Sequence, residues 1–335
     1  VPSDTYTGDL KWETTSQFNV GVDLSLFNNR LRMTADYYRK KTTDLLNNVE
    51  MPRSSGYTTA LRNIGSIRNS GFELQLDGRI IDRAVKWDLG VNFSLNRSKV
   101  LVLSEDKDIF GGELDNTILK DQLNLMRVGE PMYVFYGYVE DGYDENGHIV
   151  YKNMDDDPAI TAADKTIIGD PNPDFLVNLT TAVSYKGFTL SAFFQSSIGN
   201  DIYSLSMAAQ AYDYGYNGNT LREVYYNHWT PENPTAKYPN LDQTSYKMSD
   251  RFVYDGSFVR LKNLELAYDV PCARSKFIKR ARVYVSAQNL FTITSYPFWD
   301  PDINANGGGS SMIQGVDSYC YPSARTYTIG CRLTF

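Results

Sequence analysis

The chain has 335 residues, 42% of them hydrophobic and 22% charged, which excludes a disordered protein and leaves room for one large or two ordinary domains. A formal net charge of −7 argues against a nucleic-acid partner, since neutralising phosphates needs clustered Lys and Arg. Short basic runs such as Lys276 to Arg280 read as charged turns.

Aromatic residues make up 13% of the chain, with 25 Tyr and 16 Phe, and few segments show the spacing of an amphipathic helix, so β structure is expected. The three cysteines lack a CxxC spacing and cannot all pair within the chain, so neither a zinc site nor a disulfide framework follows. No run of eighteen apolar residues exists, and no basic, apolar leader opens the chain at Val1. The sequence is therefore expected to be a mature or truncated piece. A membrane β-barrel stays open, because its strands need only about 9–11 residues each.

In chain order, Phe18, Val20, Val22, Leu24 and Leu26 alternate with Asn19, Gly21, Asp23 and Ser25. Asn28-Asn29 predicts a two-residue turn, after which Leu31, Met33, Ala35 and Tyr37 oppose Arg32, Thr34, Asp36 and Tyr38. The same alternation recurs over Phe72 to Asp77 and Trp87 to Asn96. Further strands are predicted over Phe175 to Tyr185 and from Phe188, joined by Lys186-Gly187, and over Phe258 to Asp269, Arg282 to Thr294 and Arg325 to Phe335. That makes about nine long strands, each with one apolar and one small, polar face. Strands of a soluble sandwich usually run about 5–6 residues, whereas several of these pass ten.

The connections alternate in length. Asn28-Asn29, Asp82 to Val85, Lys186-Gly187 and Pro271 to Arg280 are short, while Leu46 to Arg62, Leu101 to Pro173, Asp201 to Gly256 and Ser295 to Ala324 are long. Short periplasmic turns and long extracellular loops are how outer-membrane barrels are built. The last segment places Tyr327, Ile329, Cys331, Leu333 and Phe335 on one face and stops at an aromatic residue, which resembles the assembly signal of such barrels.

The segments Leu10 to Thr15, Phe27 to Leu31 with Ala35 to Tyr38, Asn63 to Glu73, Ile168 to Phe175, Phe193 to Asn200, Ser249 to Val270, Val285 to Phe291 and Tyr321 to Phe335 resemble, in order, the C-terminal part of SusC/RagA-type TonB-dependent outer-membrane transporters of the Bacteroidetes. The resemblance implies an all-β, transmembrane antiparallel barrel of 22 strands, preceded by a plug domain. Residues 1–335 are then expected to be the C-terminal part of the barrel domain, with plug, TonB box and N-terminal strands lying upstream. Nine strands cannot close that barrel without exposing backbone edges to lipid. Ser249 to Gly256 would end an extracellular loop, Leu264, Leu266 and Tyr268 would face lipid, and Lys262, Glu265 and Asp269 would sit at the lumen or rims.

Loop aromatics are the candidate ligand-binding groups: Tyr212, Tyr214 and Tyr216, Trp229, and Tyr296 with Phe298 and Trp299, flanked by Asp213, Asn217, Asp300 and Asp302. Flat rings stack on sugars or grip peptide side chains, and the adjacent polar groups give directional hydrogen bonds. The competing reading is a loop core or an aromatic girdle at the membrane interface.

Asn153 to Asp164 resembles a calcium-loop-like insert of many such transporters. Asn153, Asp155, Asp157, Thr161 and Asp164 fall at ligand places one, three, five, nine and twelve, with Ala159 offering a carbonyl. Pro158 replaces the sharp-turn glycine, and Asp164 replaces the longer Glu, so a plain acidic loop is the alternative to a Ca2+ site. No enzyme signature occurs, and His148 and His228 read as solvated loop residues.

The resemblance implies TonB-dependent uptake of an oligosaccharide or oligopeptide, delivered by a SusD-like surface lipoprotein lid. Coupling would run to TonB with ExbB and ExbD through the upstream part. A non-transporting surface binding or adhesion barrel is the alternative from another class. A soluble β-rich glycosidase would need paired carboxylates in a cleft.

Overall fold

The computed structural model describes residues 10–50, 59–103, 107–115, 119–212, 219–272, 277–303 and 313–335. Nine long strands form one antiparallel sheet: β1 Thr14–Leu26, β2 Leu31–Thr43, β3 Gly65–Asp82, β4 Val85–Leu103, β5 Phe175–Tyr185, β6 Phe188–Ile198, β7 Phe258–Val270, β8 Arg280–Thr294 and β9 Thr326–Thr334. They pair strictly in chain order, a meander with β1 and β9 as its outer strands.

Register turns the period-two pattern into two continuous faces. On one, Leu24, Met33, Leu76, Val91, Leu179 and Phe194 line up strand by strand, and lower down Leu190, Leu266, Val285 and Ile329 do the same. On the other, Asp23, Thr34, Gln75, Asn92, Asn178, Gln195, Arg260 and Thr292 form a row. The apolar face is bare: Phe18 is 61% exposed and Ile329 87%. A bare apolar surface spanning a whole sheet is costly in water and natural in hydrocarbon.

On the polar face two glycines admit a cross-strand ring. Tyr38 covers Gly71 and Tyr284 covers Gly330, and a Cβ at either glycine would stand 2.5 Å from the tyrosine hydroxyl. Side chains at these positions would push the rings off the wall.

All four short connections fall at one rim and all four long ones at the other, as the sequence predicts. The first turn differs in detail. The strands end at the Leu26–Leu31 pair, so the connection holds four residues, with Phe27, Asn28 and Asn29 all at positive φ. Asn tolerates that region, and the Arg30 N–H closes the turn on the Phe27 carbonyl. Lys186 and Gly187 make the expected two-residue turn, both at positive φ. Strands β3 and β4 are much longer than their readable alternation and rise past the other strands toward the long connections.

The long connections are not bare loops. They fold on one another into a layer with its own core, where Leu123, Phe135, Tyr203, Tyr238, Met248 and Phe252 are each 1% exposed or less. One small sheet aligns Thr166–Gly169, Val134–Gly137, Asn124–Met126 and Ile109–Phe110. Another joins Val253–Asp255, Asp201–Ser204 and Val316–Asp317 from three different parts of the chain, and leads into helix α1, Leu205–Tyr212. Burying a large apolar side chain contributes about 1.5–3 kcal/mol, so the water-driven part of the folding energy sits mainly in this layer.

Candidate functional site

The polar face of the wall meets the layer at Arg260, near the long-connection end of β7. Its side chain is 2% exposed and is the largest fully buried one among the described residues. The guanidinium pairs with Asp300 through Nη2 and with Asp302 at 3.4 Å, and donates to Thr292 Oγ1 at 2.9 Å and Ser323 Oγ at 3.2 Å. Lys262 adds a second cation 3.8 Å from Asp302. Burial alone would raise the Asp300 carboxyl. The N–H groups of Ser323 and Asp302, both at 2.9 Å, and the guanidinium instead hold it below the usual carboxylate range. One wall residue thus ties the last long connection to the barrel.

A second buried network ties the same connection to the one before it. The Tyr296 hydroxyl lies 2.6 Å from Asp317 Oδ2 and 2.9 Å from Ser204 Oγ, while Ser206 donates to Asp317 Oδ1 at 3.1 Å. Burial and then the carboxylate partner raise the Tyr296 hydroxyl above its ordinary value, so it stays a donor. That third connection is in turn tied to the second, where Arg251 grips Glu140 with both Nε and Nη2, and their side chains are 15% and 10% exposed.

The candidates named from sequence do not form one cluster. Tyr212 is a core residue, stacked on Tyr246 with centroids 3.7 Å apart and edge-on to Phe252. Tyr296 and Asp300 are buried in the networks above, so neither offers its face to a ligand. Trp229 lies against Gly147, whose absent Cβ would stand 2.2 Å from the indole. Among the described candidates Trp299 alone keeps a largely open ring, 58% exposed and stacked on Phe298 at 4.9 Å. Asp213, Tyr214, Tyr216 and Asn217 lie outside the described residues. The histidines have partners: His148 Nε2 is 2.9 Å from Asp242, and His228 Nδ1 is 2.7 Å from the Tyr225 carbonyl oxygen.

In the acidic segment the candidate side chains hydrogen-bond the local backbone. Asn153, Asp155 and Asp157 each accept a backbone N–H two residues ahead. Thr161 caps the helical turn Ala162–Asp164, and both Asp164 oxygens are taken by the N–H groups of Met154 and Thr161 at 2.7 Å. Those two donors hold the Asp164 carboxyl below its ordinary range. Among the described residues no three carboxylate, imidazole or thiol groups converge as metal ligands. The turn satisfies itself with its own backbone.

Toward the short-turn rim the polar face carries two charged hollows. One, of about 580 Å3, holds Arg32, Asp77, Arg79 and Asp88, with Arg79 paired to Asp88 at 2.8 Å. The other, of about 300 Å3, holds Arg280, Arg282 and Arg332 around Glu265. The polar wall is therefore charged below and tied to the layer above. The sequence reading missed Arg260 and Asp317 as organising residues: Arg260 looks like any lumenal member of the alternation, and Asp317 finds its partners far along the chain.

Residues 2–290 match the family model described as "TonB dependent receptor-like, beta-barrel". The chain is 34% identical over its whole length to TonB-dependent receptor P3 of Formosa agariphila, covering 35% of that protein. It is 29% identical over 98% of its length to TonB-dependent receptor SusC of Bacteroides thetaiotaomicron, covering 33% of it. The structure of the RagAB peptide transporter superposes on 99% of the chain with a TM-score of 0.83 at 29% identity, the match covering 36% of that chain. The chain spans about a third of the length of the relatives it matches. A meander with one apolar face, one polar face and connections sorted by length onto two rims is part of such a barrel, and the chain belongs to the TonB-dependent receptor β-barrel family.

Proposed function

We propose that the protein containing this chain is an outer-membrane nutrient importer of the SusC/RagA kind, taking up an oligosaccharide or oligopeptide by TonB-dependent transport. The observation that carries this reading is the two-faced wall capped at one rim by a folded layer of long connections. Lipid covers the apolar face, and substrate passes along the polar one. Likeness to SusC and to the RagAB peptide transporter supports a surface lipoprotein lid seated over the layer. TonB, through the upstream part of the protein, supplies the pull. Of the aromatic candidates named from the sequence, Trp299 on its exposed stack is the described one left open to what the lid delivers.

The test is purification of the full-length protein from outer membranes in mild detergent, with mass spectrometry of what comes with it. A co-purifying surface lipoprotein carrying a sugar oligomer or peptide is expected. A lone protein that stays in solution without detergent contradicts the reading.

A further inference from the structure

On the apolar face of the wall, toward the short-turn rim, lies a groove of about 520 Å3. Register explains it. Val283 and Val285 of β8 stand between larger neighbours: Tyr268 and Leu266 on β7, and Ile329 on β9. Phe188 of β6 stacks on Tyr268 with ring centroids 4.5 Å apart and raises that bank further. Short side chains between taller ones leave a depression, and its lining is apolar apart from the tyrosine hydroxyl.

Three observations point to what fills it. The groove opens on the face that hydrocarbon covers, where a gap left empty forfeits the contacts of its lining. Its rim end is marked by the cross-strand row Tyr185, Phe188 and Tyr268, and aromatic rings gather at the depth of lipid headgroups. At that depth two cations lie outside. Lys186 rests its ammonium 5.2 Å above the outward ring of Tyr185, and Lys279 precedes β8 at the rim, its N–H on the Thr334 carbonyl. Both are exposed, and among the described residues neither is in an ion pair. The acids of β7, Glu265 and Asp269, are held by Arg282 on the opposite face. Uncompensated cations at headgroup level beside an apolar groove complement a molecule with an anionic head and a hydrocarbon tail. A second copy of this chain fits poorly, because a two-fold contact through this face would set like cations against each other.

We infer that the groove holds an anionic phospholipid of the periplasmic leaflet. One acyl chain lies along Val283 and Val285, and the phosphate is drawn to Lys186 and Lys279. The site belongs to the barrel wall and is independent of what the barrel imports.

The test uses the full-length protein from outer membranes as wild type, as Val283→Trp, which fills the groove from an exposed position, and as the double variant Lys186→Gln with Lys279→Gln. Val22→Trp, on the same face at β1, is the control. Each is shown to be folded by the compact migration of the unheated barrel in detergent gels. Lipid carried from the membrane is identified first. Each protein is then equilibrated with mixed micelles of phosphatidylglycerol and phosphatidylcholine of the same chains, passed through gel filtration, and its retained lipid quantified by mass spectrometry. Wild type and Val22→Trp are expected to retain phosphatidylglycerol in preference. Val283→Trp should retain roughly tenfold less of either lipid, the worth of about two displaced methylenes. The lysine variant should lose roughly tenfold in its preference for the anionic head. Equal retention by wild type and Val283→Trp, or no lipid on wild type, would overturn the groove as a lipid site. An unchanged preference in the lysine variant would overturn the phosphate assignment. Lipopolysaccharide in place of phospholipid on the protein as isolated would overturn the leaflet. A wild-type dimer without bound lipid that Val283→Trp turns into a monomer would overturn the lipid in favour of a second copy.

Discussion

Arg260→Met removes the cation from a site where it is 2% exposed and leaves the Asp300 carboxylate, itself 7% exposed, without its counter-charge. Only the N–H groups of Ser323 and Asp302 remain on that carboxylate. Removing one partner of a buried pair costs about 3–5 kcal/mol, because the other is left as an uncompensated buried charge. Asp302 is 37% exposed and can turn to water, so its loss adds little. The deficit belongs to the docking of the last long connection rather than to the sheet. Hydrogen exchange on the full-length protein in detergent should therefore quicken by roughly 10²- to 10⁴-fold across residues 296–303 and 319–325, at 1.36 kcal/mol per tenfold. Amides in the middle of β7 and β8 should not change. The double variant Arg260→Met with Asp300→Leu removes both charges and should recover most of the loss, since replacing a buried pair by apolar groups is often neutral. Unchanged exchange in the single variant, or a double variant worse than the single one, would refute the reasoning.

Tyr296→Phe deletes the donor 2.6 Å from Asp317 and is expected to destabilise the layer by about 1–3 kcal/mol, read as a lower midpoint for proteolysis of the long connections. Ca2+ at millimolar concentration should leave the melting temperature unchanged, whereas Asp164→Ala should lower the stability of the turn by about 1–2 kcal/mol through its two lost N–H partners, measured by local hydrogen exchange. Acid should act on the layer late. Asp300 and Asp164 have depressed pKa values when folded, so they contribute stability above the ordinary carboxylate value of about 3.9 that is lost as pH falls through the folded values. Proteolytic protection of the connections should hold from pH 7 to about 4 and fall below that; a loss centred near pH 6 would point to other groups.

The wall was legible because each strand carries its own evidence. A register slip of one residue would turn Leu190 and Leu266 inward and Ser191 and Glu265 outward, so the period of two sets both face and pairing. The upper ends of β3 and β4 were not legible, since Arg68 and Ser70 on one and Arg97 and Lys99 on the other interrupt the apolar side of the alternation. The layer escaped for a different reason. Its strands run two to five residues, too short for a period, and Val253–Asp255 becomes a strand only by meeting Asp201–Ser204. Candidate site residues suffered likewise. Tyr212 and Trp299 both look like loop aromatics, and only the packing of Tyr246 and Phe252 over the first buries it while the second stays open. Spacing in Asn153 to Asp164 suggests oxygen ligands, and what it did not reveal is that these side-chain oxygens also accept the backbone N–H two residues ahead.

The central claim is that one face of the nine-stranded wall meets lipid and the other a wet lumen. In full-length protein with Cys272, Cys320 and Cys331 replaced by Ser, single cysteines at Leu190, Leu266, Val285 and Ile329, and at Ser191, Glu265, Ser286 and Thr328, can be labelled with a fluorophore in lipid vesicles. The first four should be quenched by brominated lipid and spared by aqueous iodide. The second four should escape the lipid quencher, and the two patterns should alternate residue by residue. Equal iodide quenching at both sets would contradict the account.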